Sequence, residues 1–179
     1  MLTRMRDVTS IAVLMTLAPA SLVATALVPR KSPELKVFNA SGGQTPLSSF
    51  KGKVVVAEFL LTDCRHCERV SQVITKLHKE LGPRGFQPIG IAFDVGITGE
   101  RVSNFVRRLG VTFPVGYVSS RDVDLYLGRL GPERLMVPQL VVIDRTGVIR
   151  AQSVPINEQN LENEVYLRNL VETLLKEKG

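Results

Sequence analysis

Eight consecutive residues, Val54-Val-Val-Ala-Glu-Phe-Leu-Leu61, hold seven apolar side chains with no polar alternation. A strand built this way is hydrophobic on both faces and has to be covered on both, the situation of a central strand in a sheet flanked by helices. That pattern places the strand at the centre of its sheet. It also makes Glu58, the one carboxylate inside the run, a residue to follow.

The rest of the chain supplies the cover. Val70, Val73, Ile74, Leu77 and Leu81 recur at helical spacing up to Gly82-Pro83, which ends the helix. Phe86 to Phe93 reads as a second buried strand that stops at Asp94. Val102, Phe105, Val106 and Leu109 mark a helix with Gly110 just past its end, and a short strand is expected between Thr112 and Tyr117. Val123, Tyr126, Leu127 and Leu130 mark a further short helix. Pro138-Gln-Leu-Val-Val-Ile-Asp144 and Val148-Ile-Arg-Ala-Gln152, joined through Gly147, read as an antiparallel hairpin. A closing helix shows Leu161, Val165, Leu170, Val171 and Leu174 on one face, with Lys176 and Lys178 at its end, where the helix dipole favours cations. This order of elements predicts a single α/β domain with a central mixed sheet flanked by helices.

The first 31 residues have another composition. Val8 to Val28 contains no charged residue and is closed by Arg30-Lys31. It reads as a signal peptide with small-residue cleavage patterns at Ala18-Pro-Ala20 and Ala24-Thr-Ala26, or as a retained N-terminal membrane anchor, since a helix of that length just crosses a bilayer. Both alternatives predict an extracytoplasmic domain over residues 32–179, in the periplasm or at the outer face of the membrane. The net charge of +6 argues against nucleic acid as a partner. Four basic residues against the single acid Asp7 place half of that excess in the leader, and the remainder is too weak a field for a nucleic-acid footprint.

The chain has two cysteines and is long enough to bury a core without staples, so both are free for chemistry. Cys64-Arg65-His66-Cys67 falls where the central strand gives way to the first helix. A thiol there faces unpaired backbone N–H groups and the positive end of the dipole, which favour the thiolate. With two residues between them, the second sulfur reaches the first, so the pair can attack a disulfide and resolve the mixed disulfide internally. A permanent structural disulfide fits the same spacing. A metal site does not: no second Cys pair exists, His78 is the only other His, and Glu68 rather than His follows Cys67, which removes haem attachment as well.

From about Glu34 to Lys176 the chain resembles the thioredoxin superfamily, and within it the exported TlpA/ResA-type thiol–disulfide oxidoreductases. The landmarks are Phe50-Lys-Gly-Lys-Val-Val-Val56, Cys64-Arg-His-Cys67, Val137-Pro138 before an apolar strand, and Val142-Ile-Asp-Arg-Thr-Gly147. The resemblance implies a thioredoxin-like fold with a TlpA-type helix–strand insertion between Thr98 and Tyr117. It implies Cys64 as the attacking thiol, Cys67 as the resolving thiol and Glu58 as a buried acid that exchanges a proton with Cys67. Pro138 is implied to be cis, with the backbone of Val137 docking the substrate. Protein dithiols or disulfides follow as substrates, with a membrane thiol protein as electron donor in a reductase. No cofactor is called for, because the electrons pass between sulfurs.

Two positions depart from the pattern. Asp63 stands where these proteins usually carry Trp, and Val70 replaces the ResA-type Glu. His66 resembles the DsbA-type motif; it and Arg65 are cations that would stabilise a thiolate, whereas Asp63 opposes it. Redox tuning is therefore assigned to Asp63, Arg65 and His66. Two other classes share parts of the pattern. A Sco-type copper-handling protein usually has its cysteines three residues apart and a late His, and here nothing after His78 is His. In a peroxiredoxin-like peroxidase, Pro and Thr or Ser would precede the peroxidatic cysteine at positions held here by Ala57 and Leu61.

Overall fold

The computed structural model describes residues 26–130, 134–153 and 160–177. Eight strands form one mixed sheet: β1 (Arg30–Lys31), β2 (Lys36–Asn39), β3 (Gln44–Pro46), β4 (Val54–Leu60), β5 (Phe86–Ala92), β6 (Val115–Tyr117), β7 (Gln139–Ile143) and β8 (Val148–Gln152), in spatial order β1-β8-β7-β4-β5-β6-β2-β3. The all-apolar run becomes β4 at the middle, every residue of it buried. It pairs in parallel with β5 and antiparallel with β7.

The four helices are α1 (Arg65–Leu81), α2 (Gly99–Leu109), α3 (Ser120–Leu127) and α4 (Glu164–Lys176). Because β4 side chains alternate, Val54, Val56 and Leu60 meet α1 and α4 in one core cluster with Ile74, Leu77 and Val171. Val55, Ala57 and Phe59 meet α3 in the other, with Val123 and Tyr126. Fully burying a side chain of this size contributes about 1.5–3 kcal/mol, so each face holds its helices with several such terms. The β7–β8 hairpin turns at Gly147, whose φ of 85° lies in the left-handed region.

The leader falls almost wholly outside the described residues, as does Lys178. Among the described residues no helix is long and apolar enough to cross a membrane. Arg30 and Lys31 pair with Ile149 and Val148, so the sheet already includes the two cations that close the leader.

Three expectations from periodicity are corrected. Leu130 lies beyond the end of α3, which Gly128 stops, and is exposed. Val165 is exposed on α4, whose buried stripe is Leu167, Val171, Leu174 and Leu175. Leu161 is buried but precedes the helix. The helix and strand expected between Thr98 and Tyr117 are α2 and β6, the strand shortened to three residues.

Candidate active site

β4 ends at Leu60, a short turn follows, and Cys64 becomes the N-cap of α1 in extended backbone geometry. Its Sγ accepts a hydrogen bond from the Cys67 backbone N–H at 3.2 Å, so the sulfur takes the place of a capping side-chain oxygen and satisfies one orphan donor of the helix. Both cysteines are free thiols; Cys64 is partly exposed and Cys67 is buried. Burial pushes the Cys67 thiol far up, and its bond to Cys64 and the nearby negative charge of Glu58 add to the shift. The two sulfurs are thus unequal, one at the surface and one held as a thiol beneath it.

Glu58 is fully buried in β4, opposite Gly90 of β5 and Leu140 of β7. Ser71 of α1 donates its hydroxyl to Glu58 Oε2 at 2.7 Å, while Oε1 has no hydrogen-bond partner. Burial raises this carboxyl to about 8; the Ser71 bond opposes the shift and the charge of Glu162 adds to it. Glu58 is thus buried, as its place inside the apolar run implies.

The Val137–Pro138 bond is cis. The antiparallel register of β7 on β4 places it beside the C-terminal end of β4, where the cysteines are, and Val137 and Cys64 pack on the same core cluster. Cys64 opens into a cleft of about 610 Å³ whose walls include Leu61, Asp63, Phe93, Asp94, Arg101 and Leu135.

Asp63 and His66 have partners that only the tertiary fold brings within reach. Arg101 of α2 donates to Asp63 at 2.9 Å, to Asp94 at 3.0 Å and to Thr62 Oγ1 at 3.2 Å. Arg108 of the same helix pairs with Glu68 and donates to the Thr62 carbonyl. His66 directs Nε2 to Glu162, 2.7 Å away, just before α4. Arg65 is exposed. Among the described residues no cluster of His, Cys, Asp and Glu is suited to hold a metal.

Removing Arg101 should leave Asp94, whose side chain is largely buried, with only its Thr62 bonds. Arg101→Gln is therefore expected to lose about 1–2 kcal/mol of stability in urea unfolding and, by unmasking Asp63 beside Cys64, to lower the reduction potential. An unchanged urea midpoint together with an unchanged potential would remove this clasp from the account of the site.

A thiol pair capping the helix that follows the central strand of a mixed sheet, with a cis proline at the same end, defines a thioredoxin-like thiol–disulfide protein. Comparison with known sequences agrees: the AhpC/TSA family profile matches residues 28–152. The thiol-disulfide oxidoreductase ResA of Bacillus thuringiensis is 30% identical over 142 residues, 79% of this chain and 77% of that protein. The chain belongs to the AhpC/TSA family, among its thioredoxin-like thiol–disulfide oxidoreductases. The fold is shared with a thioredoxin-family thiol:disulfide interchange protein of Chlorobium tepidum (TM-score 0.67, 22% identity, 82% of this chain and 97% of that one). It is shared also with a thiol:disulfide interchange protein of a Bacteroides species (TM-score 0.66, 21% identity, 87% of this chain and 92% of that one).

Proposed function

We propose that this chain exchanges disulfides with protein partners outside the cytoplasm, with Cys64 as nucleophile, Cys67 as resolving thiol and Glu58 as the group that takes and returns the proton. What supports this best is the stacking of a partly exposed cap thiol, a buried thiol and a buried carboxyl with one free oxygen. In the reductive direction the Cys64 thiolate attacks a substrate disulfide, forming a mixed disulfide and expelling the second substrate sulfur as a thiolate, which takes up a proton. Cys67 then gives its proton to Glu58 in its ionised form and attacks Cys64 Sγ, and Glu58 returns that proton to the departing substrate sulfur. The substrate leaves as a dithiol, and a Cys64–Cys67 disulfide remains. Oxidation of a substrate dithiol is the same sequence reversed.

Val137 and Pro138 dock the extended substrate chain beside Cys64, and an electron donor in the membrane re-reduces the pair when the protein works as a reductase. Residues 1–31 export the domain and, if retained, tether it. Asp63, Arg65 and His66 tune the potential. The helix α2 and strand β6 are the TlpA-type insertion, and α2 contributes Arg101 and Arg108 to the rim of the site.

Offering the protein a disulfide reporter, hydrogen peroxide and Cu(I) in parallel tests the reading. Dithiol-dependent reduction of the reporter is expected to exceed peroxide turnover. Faster consumption of peroxide would replace this function with a peroxidase, and stable Cu(I) binding with loss of exchange would replace it with copper handling.

The His66–Glu162 pair gives the tuning a sign. Glu162 places a negative charge near the site and engages the imidazole, both of which act against a thiolate. Charge at a half-exposed site of this kind is worth about 1 kcal/mol, or about 20 mV for a two-electron couple. Glu162→Gln should therefore raise the reduction potential by about 20 mV and His66→Pro should lower it by a similar amount. Equilibration against a glutathione series measures both, and a shift of either variant in the opposite direction would end the electrostatic account.

A further inference from the structure

Helix α3 lies between the cysteine cleft and the point where the N-terminal chain meets the domain. On one side it supplies Ser120 and Asp124 to the cleft that holds Cys64. Its end is fastened to the entering chain. Arg30 donates to the Tyr126 carbonyl at 3.0 Å and stands over the Tyr126 ring, 6.0 Å from its centroid. The Ser32 and Tyr126 hydroxyls are 2.9 Å apart. Ala26 approaches Gly128 so closely that a Cβ on the glycine would fall 2.4 Å from that of Ala26. Since β1 runs against β8, and β8 is aligned with β4, the chain enters β1 from the cysteine end of the sheet.

Three leucines project from this junction: Leu27, 87% exposed; Leu125, 64%; and Leu130, 86%. Arg121, one helical turn before Leu125, shares its exposed face. A single exposed leucine needs no explanation. Leu27 follows Ala26, and Leu125 and Leu130 stand three residues before and two after Gly128, the glycine Ala26 approaches, where an uncharged stretch of membrane-spanning length, Val8 to Val28, joins the fold.

We propose that the end of α3 is the membrane-facing surface of the domain, with Leu27, Leu125 and Leu130 seated in the headgroup region of the bilayer that holds the N-terminal stretch, so that the Cys64 cleft opens beside the membrane surface. This rests on that stretch being retained as a tether. Apolar side chains at the headgroup boundary with cations beside them are the composition of an interfacial contact, and the exposed Lys31 and Arg121 supply the cations. The orientation selects substrates: it favours exchangeable cysteines carried close to the bilayer, such as those of membrane-embedded dithiol proteins, over freely diffusing ones.

The sequence contains no tryptophan, so Leu125→Trp, Leu130→Trp and Val165→Trp each create a sole reporter. Val165 is the control, since α4 packs on the opposite face of the sheet from α3. The full chain is placed in phosphatidylcholine–phosphatidylglycerol vesicles with or without brominated acyl chains. Co-flotation with the vesicles reads the tether, and quenching reads the orientation. Emission from positions 125 and 130 is expected to shift to the blue and to fall about twofold or more with brominated lipid, while position 165 is unchanged. Co-flotation without quenching at 125 and 130 would overturn the orientation and leave the tether standing. Absence of co-flotation would overturn both. A concentration-dependent blue shift without lipid quenching would assign the surface to a second copy of the chain and overturn the membrane contact.

Discussion

Cys64→Ser is expected to abolish disulfide exchange, with a loss of at least about a thousandfold, and Cys67→Ser is expected to accumulate a mixed disulfide with substrate. The asymmetry follows from placement. Cys64 caps α1 at the mouth of the cleft, with its sulfur on the Cys67 N–H and partly open to solvent, where a disulfide or an alkylating reagent can reach it. Cys67 is sealed in the core, where desolvation holds it as a thiol. Brief alkylation of the reduced protein should therefore modify Cys64 almost alone. Peptide mapping after iodoacetamide treatment gives the order of reaction, and gel shifts give the trapped intermediate. Cys67 labelled first, or Cys64→Ser trapping substrate instead, would reverse the two roles.

Much of this site was legible in the sequence for identifiable reasons. The apolar run 54–61 could only be a covered strand, so Glu58 inside it had to be buried, and two cysteines at the following helix start had to share the cap. The cis bond before Pro138 was legible only through resemblance, because nothing local to Val137 demands it. Strands β1, β2 and β3 carried no signal: they have two to four residues, sit at or near the sheet edges and are mostly polar, so they lack the hydrophobic alternation that marks a strand. Leu130 and Val165 misled because apolar spacing continues past the Gly128 stop in one case and onto the solvent face of α4 in the other. The Arg101–Asp63 and Glu162–His66 pairs join residues 38 and 96 positions apart, so only the tertiary fold reveals them. A carboxylate just before the first cysteine looked like an opponent of thiolate chemistry; the structure gives that carboxylate a cation of its own.

The pH dependence of stability should be dominated by Glu58. In the unfolded chain this carboxyl titrates near 4.5; in the fold burial holds it protonated up to about 8. The folded state therefore binds the extra proton between these values, and stability falls as pH rises across the same window. It is fully present below pH 4.5, is lost progressively through pH 8 and is flat above. A difference of this size corresponds to about 5 kcal/mol, a large part of the total stability of a domain of this length. Glu58→Gln keeps the shape and retains Ser71 as a hydrogen-bond partner, but cannot ionise. Its unfolding midpoint should lose the downward slope between pH 5 and 8, so that the variant is less stable than or equal to the parent at pH 5 and more stable at pH 8.5. The same substitution removes the proton acceptor of Cys67 and should slow the release of substrate from the mixed disulfide, most visibly at and above pH 8, where Glu58 ionises and can take the proton. Urea titrations at half-unit steps from pH 5 to 9 measure the first effect, and single-turnover reduction of a reporter measures the second. Parallel stability curves for the two proteins would show that Glu58 ionises in the fold as it does in water, and the proton-transfer role would fall with the burial argument that supports it.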